Sequence, residues 1–90
     1  MILLLGLALL VVKHTAHMSW NKPPTPVTTT VIYGTVSGGP YPNAGCTAKP
    51  KVDKCVVKNL TAGTYYFVAY ATNSKGRNSG YSNQAVAIVP

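Results

Sequence analysis

The sequence predicts an all-β protein built as a two-sheet sandwich or small barrel. Three observations carry that prediction. Beyond Lys13, Val, Thr and Tyr fall in short alternating runs, and no segment repeats its apolar residues at the helical period. Gly, Pro, Asn and Ser break these runs at intervals of roughly eight to twelve residues, the rhythm of short strands joined by turns. The chain has 90 residues and a hydrophobic content of 47%, which is one domain with enough apolar material for a single core.

The elements can be justified in order. Residues 2–12, from Ile2 to Val12, read ILLLGLALLVV and carry no polar side chain. Three readings compete for this stretch. As a signal-peptide core it lacks a basic leader, and Thr15-Ala16-His17 is a poor cleavage site. As a membrane or interface anchor it is short, because eleven helical residues reach about 17 Å against a hydrocarbon core of about 30 Å. The third reading, which we prefer, is an apolar strand or helix buried in a larger assembly. The chain therefore divides into residues 1–12, a docking segment, signal-like segment or atypical first strand, and residues 13–90, the sandwich domain.

Residues 16–20 alternate, placing Ala16, Met18 and Trp20 on one face. Asn21 to Pro26 (NKPPTP) cannot continue a strand, since its prolines remove donors and fix φ. Residues 27–35 are β-branched and form the next strand, with Val31 and Tyr33 on one face. Ser37-Gly38-Gly39-Pro40 is a turn, and no strand is assigned until the short one at residues 55–58. A turn at residues 61–64 leads into residues 65–72, the strongest strand of the chain. Residues 73–80 (NSKGRNSG) form a polar loop, and residues 84–89 form the last strand.

Residues 60–89 resemble the last two strands of a fibronectin type III domain. The resemblance rests on Leu60, Gly63-Thr64, Tyr65, Phe67, Ala69, Ala71 and Asn73, followed by Gly80-Tyr81-Ser82-Asn83. Met18-Ser19-Trp20 looks like the second strand of that family, and Thr30-Val31-Ile32-Tyr33-Gly34-Thr35 like its third. The match runs over about residues 14–90 and is loosest between Val36 and Val57. It implies an immunoglobulin-like two-sheet sandwich preceded by the apolar segment, with a core of Trp20, Val31, Tyr33, Leu60, Tyr65 and Phe67. Trp20 would be the large central filler, and the Tyr65 hydroxyl would bond to upstream backbone. Gly63 fits a turn position with positive φ. Ala69 stands where the family has a larger residue. The family's first strand has no obvious counterpart. Either residues 2–12 serve as an unusually apolar first strand, or an exposed sheet edge invites strand addition from another chain.

Candidate sites follow from the alternation. If Tyr65, Phe67, Ala69 and Ala71 point inward, Tyr66, Val68 and Tyr70 point outward, as an interaction stripe or as cross-strand packing; the opposite register also leaves an apolar outer face. Lys75 and Arg77 project from the polar loop as a second contact candidate, against the plainer reading of a solvated hairpin loop. Lys49, Lys51, Lys54 and Lys58 hold half of the eight cationic residues, a possible footprint for an anionic partner or simply a solvated segment. Cys46 and Cys55 either close a disulfide in an oxidising compartment or stand as two reduced thiols; the bond would contribute roughly 2.5–3 kcal/mol in the chain-entropy model. Their spacing is too wide for a zinc ligand pair. His14 and His17 face opposite sides of a strand and cannot chelate together.

Composition excludes much else. Asp53 is the single acidic residue, so no carboxylate pair exists for glycoside hydrolysis and no multi-carboxylate cation site can be built. No nucleophile elbow, phosphate loop or zinc-protease motif is present. We expect no catalytic residues, no metal and no cofactor. The net charge of +7 favours acidic surfaces, while the absence of interleaved aromatics disfavours nucleic acid. The expected function is a non-catalytic structural or interaction module on the outside of an assembly, first of all a bacteriophage virion accessory or decoration protein. It would be docked through residues 2–12 and through strand pairing, at an extracellular or virion surface. The alternatives are a secreted or membrane-anchored adhesion protein, with membrane contact, and a small basic nucleic-acid-binding protein.

Overall fold

β-branched and aromatic side chains suit a pleated, half-buried surface, and they set the strands here. A computed structural model describes residues 5–21 and 26–90. Ile2 to Leu4, at the start of the apolar stretch, and residues 22–25 of the proline-rich connection lie outside the described residues. The described strands are β1 (Leu5–Val12), β2 (Thr15–Asn21), β3 (Thr28–Gly34), β4 (Asn43–Ala48), β5 (Lys54–Val57), β6 (Gly63–Thr72) and β7 (Ala85–Val89). They form a three-stranded sheet ordered β1-β2-β5 and a four-stranded sheet ordered β4-β3-β6-β7. All pairings are antiparallel. The two sheets make the sandwich that the sequence predicts.

The core lies between the sheets. Ala16, Met18 and Trp20 of β2 are buried, as their alternation requires, and they face Val31, Phe67, Ala69, Ala87 and Val89 of the other sheet. Leu60 closes the core from the connection before β6, while Tyr33 and Tyr65 are half-buried and pack against it. Rings fill the space beside small residues: Tyr33 and Phe67 lie 5.0 Å apart, and Tyr33 and Tyr65 meet edge-on at 5.8 Å. Ala69 is fully buried opposite Val31, its register partner on β3.

The apolar N-terminal stretch supplies β1. Its alternation is hidden in the sequence because both faces are apolar, but the structure separates them. Leu7 is buried, and Leu9 and Val11 pack on the core, whereas Leu10 and Val12 face outward. The register shifts between Leu5 and Ala8, and Gly6 there has φ 59°, a left-handed conformation that glycine adopts without steric cost. The break between residues 12 and 13 falls in the β1–β2 turn.

β4 is the element not assigned from the sequence. Asn43–Ala48 (NAGCTA) is rich in small residues and has weak strand propensity. It exists because β3 offers it a partner edge. The pairing shifts register between Val31 and Ile32, where Gly45 is accommodated. A Cβ at Gly45 would lie 2.7 Å from the Val31 carbonyl oxygen, so this close approach needs glycine.

Candidate functional site

Cys46 of β4 and Cys55 of β5 form a disulfide with a Cα–Cα distance of 6.0 Å. These strands are the neighbouring edges of opposite sheets. The bond therefore ties the sandwich together along the side away from β1 and β7. Of the two readings open in the sequence, the bonded one holds.

The corner before β6 is built as the resemblance implies. The Tyr65 hydroxyl donates to the Thr61 carbonyl at 2.8 Å and lies 2.9 Å from the Thr61 hydroxyl. Gly63 between them has φ 152°, a region essentially reserved for glycine.

The expected Tyr66–Val68–Tyr70 stripe needs a correction. These residues do occupy the outer face of β6, but Val68 is only 2% exposed and cannot meet a partner. Alternation along β6 gives parity but not burial, and the β3–β4 loop, residues 35–42, is tied to the segment just before β7. Gln84 fastens that loop: its Oε1 accepts from the Gly38 N–H and the Tyr41 hydroxyl, both at 2.8 Å. Tyr41 meets Tyr81 edge-on at 5.7 Å, and Tyr81 lies 6.3 Å from Tyr70. Tyr66 and Tyr70 are half-buried, and Tyr81, at 61% exposure, is the ring most open to solvent. Neither Tyr41 nor Tyr81 stood out in the sequence as part of this face, since each lies in a loop.

A more open apolar surface lies on the outer face of the three-stranded sheet. Leu10, His17 and Val56 stand in one row across β1, β2 and β5, and Ala8, Ser19 and Lys54 in the next. A shallow depression of about 320 Å³ lies among them. Leu10 is 64% exposed, Val12 47% and Val56 38%. His14 sits exposed in the β1–β2 turn and His17 on this outer face. The described residues bring together no group of three potential metal ligands.

Lys75 and Arg77 lie in an exposed loop shaped by one side chain. Asn73 Oδ1 accepts from the Lys75 and Arg77 N–H groups at 3.0 Å each, and the Asn73 N–H donates to the Arg77 carbonyl. The loop rejoins β6 through two serines. Ser79 and Ser82 each donate a backbone N–H to β6, at Ala71 and Ala69, and each hydroxyl accepts that alanine's N–H at 2.9 Å. The run Lys49, Lys51, Lys54 and Lys58 is not one patch. Lys49 and Lys51 sit at the end of the sandwich with residues 73–80. Lys58 lies at the other end, where the Leu60 N–H donates to the His14 carbonyl beside Lys13.

The architecture matches known structures. An Fn3-like protein from Clostridium thermocellum superposes with a TM-score of 0.75 at 26% identity, over 97% of this chain and 91% of that one. The fold is that of a fibronectin type III domain. An FN3 domain of human collagen XX matches with a TM-score of 0.72 at 13% identity, over 96% of this chain and 88% of that one. A Clostridium perfringens spore cortex lytic enzyme matches at 0.70 and 14% identity, but this chain spans only 27% of it, so that likeness concerns the fold. No family model and no curated protein matches the sequence. The fibronectin type III fold and its disulfide accord with a non-catalytic binding or structural module and with an extracellular domain.

Proposed function

We propose that this fibronectin type III-like module is a subunit displayed on an extracellular or virion assembly. It docks through the outer face of its three-stranded sheet. The observation that carries this reading is the pair of exposed apolar side chains Leu10 and Val56 lining the depression on that face, with Val12 exposed beside them on β1. Docking by the N-terminal stretch as a free segment is replaced by a narrower role. Its inward side chains serve the module's own core, and its outward ones are available to a partner. The bacteriophage particle expected from the sequence rests on fold-level analogy alone, and the proposal keeps to the broader placement. The secreted adhesion protein is the competing reading, and the disulfide suits both.

The test is incorporation. Leu10→Lys places a charge on the face without touching the core, so the melting temperature should hold. The native-source assembly should then take up the wild-type chain and exclude the variant. A wild-type chain that is free and monomeric in its native source, with Leu10→Lys behaving identically, would overturn the proposal in favour of the secreted protein.

A further inference from the structure

The loop end of the sandwich gathers cations that are far apart in sequence. Residues 26–27 before β3 meet the β4–β5 and β6–β7 connections there, lining a shallow cleft of about 180 Å³ with Pro26, Val27, Pro50, Thr72, Asn73 and Ser74. Lys49 and Lys51 flank Pro50 on one side, and Lys75 and Arg77 follow Ser74 on the other. All four are exposed. The chain has a single acidic side chain, Asp53, so one carboxylate is all that the chain's own side chains offer these four cations.

A second observation concerns how one of them is held. The Val52 N–H donates to the Lys49 carbonyl at 3.1 Å, closing a turn with Pro50 second and Lys51 third. Lys51 has φ 74°. This is the position of a type II turn that favours glycine, so a lysine there costs stability. Lys51 thus stands at the tip of the β4–β5 turn, at the end of the sandwich that also carries Lys75 and Arg77.

We infer that this loop end binds an anionic polysaccharide, through closely spaced sulfate, phosphate or carboxylate groups. Recognition is by charge density. Two side-chain oxygens of this end are engaged internally: Asn73 Oδ1 holds its own loop, and Asn78 Oδ1 accepts the Thr72 hydroxyl at 2.7 Å. Residues 26–27, 49–53 and 73–80 carry no aromatic side chain, and Tyr81, further along the β6–β7 connection, lies against Tyr41 and Tyr70, so the cleft itself offers no ring to stack on nucleobases. The inference stands apart from the docking face, which lies on the outer side of the three-stranded sheet.

The experiment measures binding of the full chain to heparin, a phosphodiester-linked teichoic acid and polygalacturonate, which separate the three anion chemistries. Duplex DNA and polyglutamate are the comparators. Two double variants remove equal charge and one left-handed lysine each: Lys51→Gly with Lys75→Gln at the loop end, and Lys13→Gly with Lys58→Gln at the other. Lys13, with φ 56°, makes the second pair a matched control. At least one glycan should bind with an affinity that falls as salt rises. The loop-end pair should weaken it by roughly tenfold and the control pair by less than about threefold. Lys51→Gly alone should leave the melting temperature unchanged or raised by a few degrees, roughly 2–5 °C, while weakening binding. Equal losses from both pairs, no glycan binding, or tighter binding to DNA or polyglutamate would each overturn the inference.

Discussion

The side-chain amide of Asn83 pairs with both peptide groups of Leu7, 76 residues away. The Leu7 N–H donates to Asn83 Oδ1 at 2.8 Å, and Asn83 Nδ2 donates to the Leu7 carbonyl at 3.1 Å. The register shift beside Gly6 lies at this point of β1, and Asn83 takes the place of a neighbouring strand there. Contacts between β1 and β7 make the same side of the sandwich continuous. Asn83→Ala removes both bonds. It should cost about 1–3 kcal/mol in urea unfolding and remove hydrogen-exchange protection at the Leu7 amide. Unchanged protection at Leu7 would show that the pairing is incidental.

The corner at Tyr65 gives a smaller effect. Tyr65→Phe keeps the ring against Tyr33 and removes the bond to the Thr61 carbonyl. Because that bond is exposed, the expected loss is about 0.5–1.5 kcal/mol, measured by chemical denaturation. Thr61→Val leaves that carbonyl in place and should cost less than Tyr65→Phe.

Reduction of the Cys46–Cys55 bond should lower stability by roughly 2.5–3 kcal/mol in the chain-entropy model. The folded circular-dichroism spectrum should persist, because each cysteine's strand keeps its own ladder, β4 on β3 and β5 on β2. Thermal melts with and without reductant measure the loss. A mass increase of about two on reduction checks the bond itself.

Gly45→Ala should destabilise by about 1–3 kcal/mol. The new methyl group would face the Val31 carbonyl oxygen and a Val57 methyl 3.2 Å away, one on each sheet. Gly80→Ala makes the comparison, since nothing lies within 4 Å of a Cβ there. Similar melting temperatures for the two variants would show that β4 yields without cost.

The sequence by itself determined what depends on neighbours along the chain. The two-residue alternation placed Ala16, Met18 and Trp20 on one face of β2 and Phe67, Ala69 and Ala71 on one face of β6, and the family resemblance implied that Trp20 and Phe67 lie in the core. The Tyr65 corner was legible through the family resemblance, whose motif at Leu60, Gly63-Thr64 and Tyr65 is confined to a few consecutive residues. Tertiary structure decided the rest. Residues 5–12 are apolar on every side, so only packing could say which face is core. β4 has little propensity of its own and forms by pairing with β3. Val68 has the outward parity of its strand, yet it is buried once the strands and loops have assembled. Lys51 joins Lys75 and Arg77, and Asn83 reaches Leu7, only when the strands have assembled. These relationships join residues distant along the chain, whose encounter costs loop-closure entropy that the packed core offsets. Alternation and turn chemistry, which act over a few residues, carry no record of such encounters.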